Sequence, residues 1–162
     1  MGVGTQMVQI STFYNGDVDV EENQFFYFEH GLPGFETIHK YVLLPLEANN
    51  SIYQLQCAED PNLVFLLLNP FVYMPEYEFT LPDSDKAELL IESEHDVEVW
   101  SILTVRDRWE SSTINLLAPI VLNRTRGRGK QLILHDTPYR TRHLLTNSKE
   151  EETHARAHTQ EG

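Results

Sequence analysis

Asn115 to Leu134, NLLAPIVLNRTRGRGKQLIL, decides how the rest of the chain is read. Two apolar blocks, Leu116 to Leu122 and Leu132 to Leu134, flank a polar, glycine-containing stretch from Asn123 to Gly129, the pattern of a β-hairpin with a longer loop. Pro119 has no amide hydrogen for a ladder, so the first strand is expected to begin at Ile120. The loop region carries Arg124, Arg126, Arg128 and Lys130 and no acid. In a chain with a net charge of -13 this is electrically unusual.

Outward from the hairpin, the chain is short-stranded and heavily punctuated. Val8, Ile10 and Thr12 alternate with polar residues, Tyr14 to Gly16 turns, and Val18 and Val20 alternate with acids, which predicts a first hairpin. Phe25 to Phe28 forms an aromatic run that ends at a corner, Gly31-Leu32-Pro33-Gly34-Phe35, where glycine can take a positive φ. That corner can be a rigid turn or a contact loop. A strand is predicted over Tyr41 to Leu44, stopped by Pro45. A polar loop follows over 47–51, then a half-buried strand in which Tyr53, Leu55 and Cys57 alternate with Gln54, Gln56 and Ala58. Asp60-Pro61-Asn62 is a turn, because the residue before proline is pushed out of the helical region. Leu63 to Leu68 is apolar at every position, the signature of a central strand covered on both faces.

From Phe71 to Pro82 aromatic and acidic residues interleave with prolines, which forbid a regular central strand. Phe71, Tyr73, Glu76, Tyr77 and Glu78 are the candidate partner-binding residues, since rings beside carboxylates offer rigid contact area and charge. Capping an open barrel end is the other role these rings can fill. One helix is predicted, Asp83 to Ile91, with Pro82 at its entry and Asp83 and Asp85 in the first turn. A strand over Val97 to Val105, buried on both faces, and a charged loop over 106–112 complete the body. Beyond Leu145 periodicity is lost, so the expectation is one β-barrel-like domain over 1–145 and a polar, disordered tail over 146–162.

Charge is divided along the chain. Residues 1–100 hold two basic and 18 acidic side chains, a net of -16, whereas residues 101–162 carry a net of +3. The acidic body disfavours nucleic acid and anionic membranes and favours a basic partner. Solubility alone is the other reading of that excess. Arg124, Arg126, Arg128 and Lys130 are read as a secondary protein contact or a solvated hairpin tip; a nucleic-acid-binding barrel using this basic 124–130 loop is the alternative function, opposed by long-range repulsion from the body. The single cysteine, Cys57, allows no intramolecular disulfide and is expected to be an inert buried thiol. No apolar run is long enough to span a bilayer as a helix, and no signal-peptide pattern is visible at the start. A cytoplasmic protein is therefore expected. The glycines at 127 and 129 do not complete a phosphate-binding loop. His154 and His158, the one histidine pair at helical spacing, fall in the tail. No nucleophile, base or metal-ligand set is legible, so no enzyme, cofactor or metal is expected.

Several of these segments, in order, resemble the bacterial flagellar assembly factor FliW family. The resemblance is carried by Gly31 to Glu36, Asp60-Pro61 with Asn69-Pro70-Phe71, and Tyr77 to Asp83. It continues in Asn115 to Ile120 with Asn123, Gly129-Lys130-Gln131, Tyr139, and Thr141-Arg142-His143. It spans about Val8 to His143. The resemblance implies an all-β, mainly antiparallel pseudo-barrel with one short capping helix. It also implies a non-enzymatic cytosolic protein that binds flagellin and, when flagellin is scarce, binds the translational regulator CsrA, relieving its repression of flagellin mRNA. The matching segments fall on turn and core positions and carry no binding residue over. The dense arginines at 124–130 and the tail after Leu145 depart from a minimal member and leave the dominant partner open.

Overall fold

The computed structural model describes residues 6–46 and 49–145. Two strands, β1 (Met7–Thr12) and β2 (Gly16–Glu21), pair as the predicted first hairpin and form a sheet of their own. The remaining nine are β3 (Phe25–Tyr27), β4 (Lys40–Leu46), β5 (Asn49–Cys57), β6 (Val64–Leu68), β7 (Glu98–Thr104), β8 (Thr113–Ile114), β9 (Ile120–Asn123), β10 (Arg128–Gln131) and β11 (His143–Leu144). They form one sheet in the order β11-β8-β7-β6-β5-β4-β3-β10-β9, and β9 also pairs with β7. That last pairing, Glu98 with Leu122 through Trp100 with Ile120, closes seven strands into a barrel. All pairings are antiparallel except the single parallel contact of Arg128 with Tyr27.

Alternation along the strands sorts side chains into three cores, because successive residues point to opposite faces. Phe26, Phe28, Tyr41, Leu43, Leu55, Leu67 and Leu122 fill the barrel interior. On the outer face, Phe25 and Val42 pack under the β1–β2 hairpin with Ile10 and Val20. Leu68, Leu103 and Val121 instead face an outer layer that includes Tyr77, Leu89 and Leu116. The continuous apolar run of β6 is thereby explained: Leu67 belongs to the interior and Leu68 to the outer core. Each large apolar side chain so buried contributes about 1.5–3 kcal/mol. The hairpin is also tied on by polar groups. Phe13 N donates to Gln56 Oε1 at 3.0 Å, and Gln54 Nε2 donates to Asn15 Oδ1 at 2.6 Å, both glutamines being fully buried. Cys57 is buried in the interior core, as expected.

Several predicted boundaries move. Pro45 does not stop its strand: β4 runs to Leu46, with a register shift between Pro45 and Leu46. The proline is tolerated because β3 pairs only with Lys40 to Val42, so no neighbour on that side needs its missing amide. β5 begins at Asn49, inside the predicted polar loop. The second strand of the basic hairpin is Arg128–Gln131 rather than Leu132 to Leu134, and the connection shrinks to Arg124 through Gly127. Gly129 permits this register, since a β-carbon there would sit 2.5 Å from the Phe28 ring and 2.8 Å from Leu122. Gly31, at φ +65 and with Phe35 O 2.5 Å from the place of a β-carbon, makes the expected corner obligatory for glycine.

Two short helices replace the one predicted: α1 (Pro70–Tyr73) and α2 (Asp83–Glu88). Asn69 caps α1 by accepting from Phe71 N at 2.9 Å, with Pro70 in the first turn. Helix α2 stops three residues before the predicted Ile91. Leu90 adopts φ 58 while its amide bonds Ala87 O and the Ile91 amide bonds Lys86 O, a Schellman ending without the usual glycine. Asn123 of β9, fully buried, donates to Leu89 O at 2.9 Å and Leu90 O at 3.2 Å and holds that ending in place. Residues 146–162, expected to be a disordered tail, lie outside the described residues. Among the described residues no helix is long and apolar enough to cross a membrane.

Candidate partner-binding surface

After α1 the chain turns through Pro75 and Glu76, closed by Tyr77 N donating to Met74 O at 2.9 Å, and Tyr77 is buried while Glu76 and Glu78 are exposed. Tyr77 is 2% exposed, its hydroxyl donates to Leu116 O at 2.8 Å, and its ring packs against Phe71, Phe79 and Tyr139. Burial first, and the neighbouring Tyr139 second, push its phenol above the ordinary tyrosine range, so it stays protonated and donates. Tyr77 is thus a core residue, and its ring is not available to a partner. The Tyr139 hydroxyl accepts from Glu78 N at 3.0 Å and fixes the next step of the chain.

The other four residues of this edge stand differently. Phe71 is 41% exposed, Tyr73 is half-buried, and Glu76 and Glu78 are exposed. Neither carboxylate has an ion-pair partner among the described residues. Beside them Val72, 66% exposed, adds apolar surface that the sequence reading missed. The signal lies in Phe71-Val72 within a helix of one turn, too short to bury both.

The segment 78–82 separates two grooves. One, of about 850 Å³, runs between it and residues 130–137. The other, of about 690 Å³, has an apolar floor of Phe79, Leu81, Ile91, Val97 and Val99. Glu78 stands on one rim of this second groove and Glu92 and Glu94 on the other. Sequence alone could not bring the 91–99 wall to this edge, because the two segments meet only through the outer core.

The basic hairpin is built in the opposite way. Arg124 donates from Nε and Nη2 to both oxygens of Glu98, at 2.6 and 2.9 Å. The hydrogen bond to Glu98 raises the guanidinium pKa, against partial burial. Lys130 is not in a loop at all: from β10 it donates to Asp85 at 2.7 Å and Glu88 at 3.0 Å, all three side chains being no more than 24% exposed. Burial, the largest influence on this ammonium, opposes its charge, and the two carboxylates outweigh it and raise the pKa. Arg126 lies 3.7 Å from Glu92, and Arg128 sits over the Tyr27 ring. Arg124 and Lys130 are therefore already hydrogen-bonded to carboxylates, whereas the exposed contact of Arg126 is weak, so only part of the hairpin's positive charge is left for a phosphate backbone. Glu29, His30 and Glu88 bring potential ligand atoms within 4.8 Å of one another. The Glu88 oxygen that His30 approaches at 3.2 Å already accepts from Lys130 and is shared with that ammonium.

Fold and surface define a class: a small closed β-barrel, mainly antiparallel, with Arg124 and Lys130 paired within the fold and an acid-and-aromatic flank turned outward. The chain belongs to the FliW family, whose model, described as FliW protein, matches residues 9–145. It is 42% identical to the flagellar assembly factor FliW of Bacillus subtilis (strain 168), over 84% of this chain and 95% of that protein. It is 44% identical to the flagellar assembly factor FliW of Geobacillus kaustophilus (strain HTA426), over 88% of this chain and 98% of that one. A crystal structure of the flagellar assembly factor FliW superposes with a TM-score of 0.82 at 42% identity, covering 88% of this chain and 99% of the other.

Proposed function

We propose that this protein is a flagellar assembly factor that works in the cytoplasm by binding other proteins and catalyses no reaction. It binds flagellin and, when flagellin is scarce, binds the translational regulator CsrA and relieves repression of flagellin mRNA translation. The observation that carries the binding reading is the flank of α1 and the following segment. There Phe71, Val72, Glu76 and Glu78 present apolar surface and, among the described residues, carboxylates without a cation side by side. Exposed rings supply affinity, and unpaired charge supplies a fast, salt-sensitive approach to a basic partner. Phe71, Tyr73, Glu76 and Glu78 are the proposed contacts, with Tyr77 holding the edge from beneath. The internal pairing of Arg124 and Lys130 favours this reading over direct nucleic-acid binding through 124–130.

Calorimetric titration of the purified protein with CsrA and, separately, with flagellin, at low and moderate salt, tests the proposal. Salt-sensitive binding to CsrA that flagellin displaces is the expected result. Binding to flagellin alone reduces the role to an escort, and binding to neither overturns it.

A further inference from the structure

We infer that the groove between residues 78–81 and 91–99 is a docking site for an apolar peptide segment flanked by lysine or arginine. This rests on the reading above that the protein acts by binding partners, and it commits that reading to a place and a partner chemistry. Phe79, Leu81, Ile91, Val97 and Val99 are each only half-buried, so they leave a continuous apolar floor in water. Carboxylates stand on both sides of that floor, Glu78 on one and Glu92 and Glu94 on the other, all exposed. Among the described residues the one basic lining residue, Lys86, lies 3.8 Å from Asp83. The contact of Glu92 with Arg126, at 3.7 Å and largely in solvent, is too weak to cancel the rim. An apolar ligand of negative charge would meet repulsion from both rims; a basic one would have its charges met while its apolar side chains leave water.

The far wall is preformed. Glu92 N and Ser93 N both donate to Asp96 Oδ2, at 2.9 and 3.1 Å, and Asn123 anchors the turn at Leu90 that directs the chain into it. A wall that does not have to be ordered on binding loses less entropy when a peptide docks. Asn123 is by this account a positioning residue for the groove, acting through Leu89 and Leu90.

The test uses the full chain and a fluorescein-labelled helical peptide of leucines and lysines, followed by anisotropy at low and moderate salt. Two control peptides replace the lysines by glutamate or the leucines by serine. The leucine–lysine peptide is expected to bind, and each control to bind about tenfold or more weakly. Joint reversal of the rim, Glu78→Lys, Glu92→Lys and Glu94→Lys, is expected to weaken binding by about tenfold or more at low salt. Leu81→Asp is expected to abolish binding, with thermal unfolding checking that the variant folds; the exposed rim variant keeps the test decisive if it does not. No binding, equal binding of either control, or binding unchanged by rim reversal overturns the inference. Titrating the same variants with flagellin and CsrA separates the two readings. Partner binding that survives every groove variant overturns the groove and leaves the function standing. Peptide capture by a protein that binds neither partner overturns the function and leaves the groove.

Discussion

The basic hairpin and the acid-and-aromatic edge look like equal candidates as strings of letters, yet the fold treats them oppositely. Glu98 on β7 reaches Arg124, and Asp85 and Glu88 on α2 reach Lys130, so the charge at both ends of the hairpin's basic run is matched within the molecule. Glu76 and Glu78 meet no cation among the described residues, and only the ring between them is taken inside. A charge is available to a partner only where the fold has not already matched it, so density of charge in a sequence is a poor guide to a binding site. In this molecule Arg124 and Lys130 are held within the fold, while Glu76 and Glu78 are left without a cation among the described residues.

The largest test of that contrast is Tyr77→Ala, which removes a core ring from within the edge. It is expected to cost about 4 kcal/mol of stability in urea unfolding, whereas Tyr77→Phe, which strands only Leu116 O, costs about 1 kcal/mol. A Tyr77→Ala protein as stable as the parent would place the ring outside the core and enlarge the binding edge. Next in size is Lys130→Met, which leaves Asp85 and Glu88 close together without their cation. We expect a loss of about 2 kcal/mol and unchanged partner affinity; weakened affinity without a stability change would reassign the hairpin to binding.

A smaller, pH-dependent effect belongs to His143. It is buried, its Nε2 accepts from Arg140 N at 2.8 Å, and burial, with the Arg140 charge second, lowers its pKa below the ordinary 6.5. The unfolded chain then binds a proton that the folded chain refuses, so stability is full above about pH 6.5 and falls as the pH drops below it. Urea titrations at about pH 7.5 and about pH 5.5 should show this slope, and His143→Gln should flatten it; an identical slope in the variant assigns the acid sensitivity elsewhere.

Arg124→Ala sits lower still. Its bidentate pair with Glu98 is half exposed, so its removal should cost less than about 1 kcal/mol. At the bottom of the stability scale, Glu76→Lys with Glu78→Lys should change unfolding by under about 0.5 kcal/mol. The same pair should slow association with CsrA and flatten its salt dependence, as stopped-flow traces at two salts would show. Fast association by the reversed protein at low salt removes the edge from the binding surface.

The residues themselves determined the β-rich class, the first hairpin, the Gly31 corner, the two-sided run of β6 and the helix entry at Pro82. These depend on backbone preferences and alternation acting over a few neighbouring residues, and such preferences are written locally. Only the tertiary structure decided that β7 and β9 close the barrel, that β4 passes through Pro45, and that β10 begins at Arg128 under Phe28. It also decided that Tyr77 turns inward and that the 91–99 wall faces Phe79 across an apolar floor. The physical reason is that strand pairing and ion pairing join groups far apart in sequence, and which groups meet is set by the register of closure. Glu98 reaches Arg124 because β7 aligns Glu98 with Leu122, and no local pattern in either segment specifies that alignment.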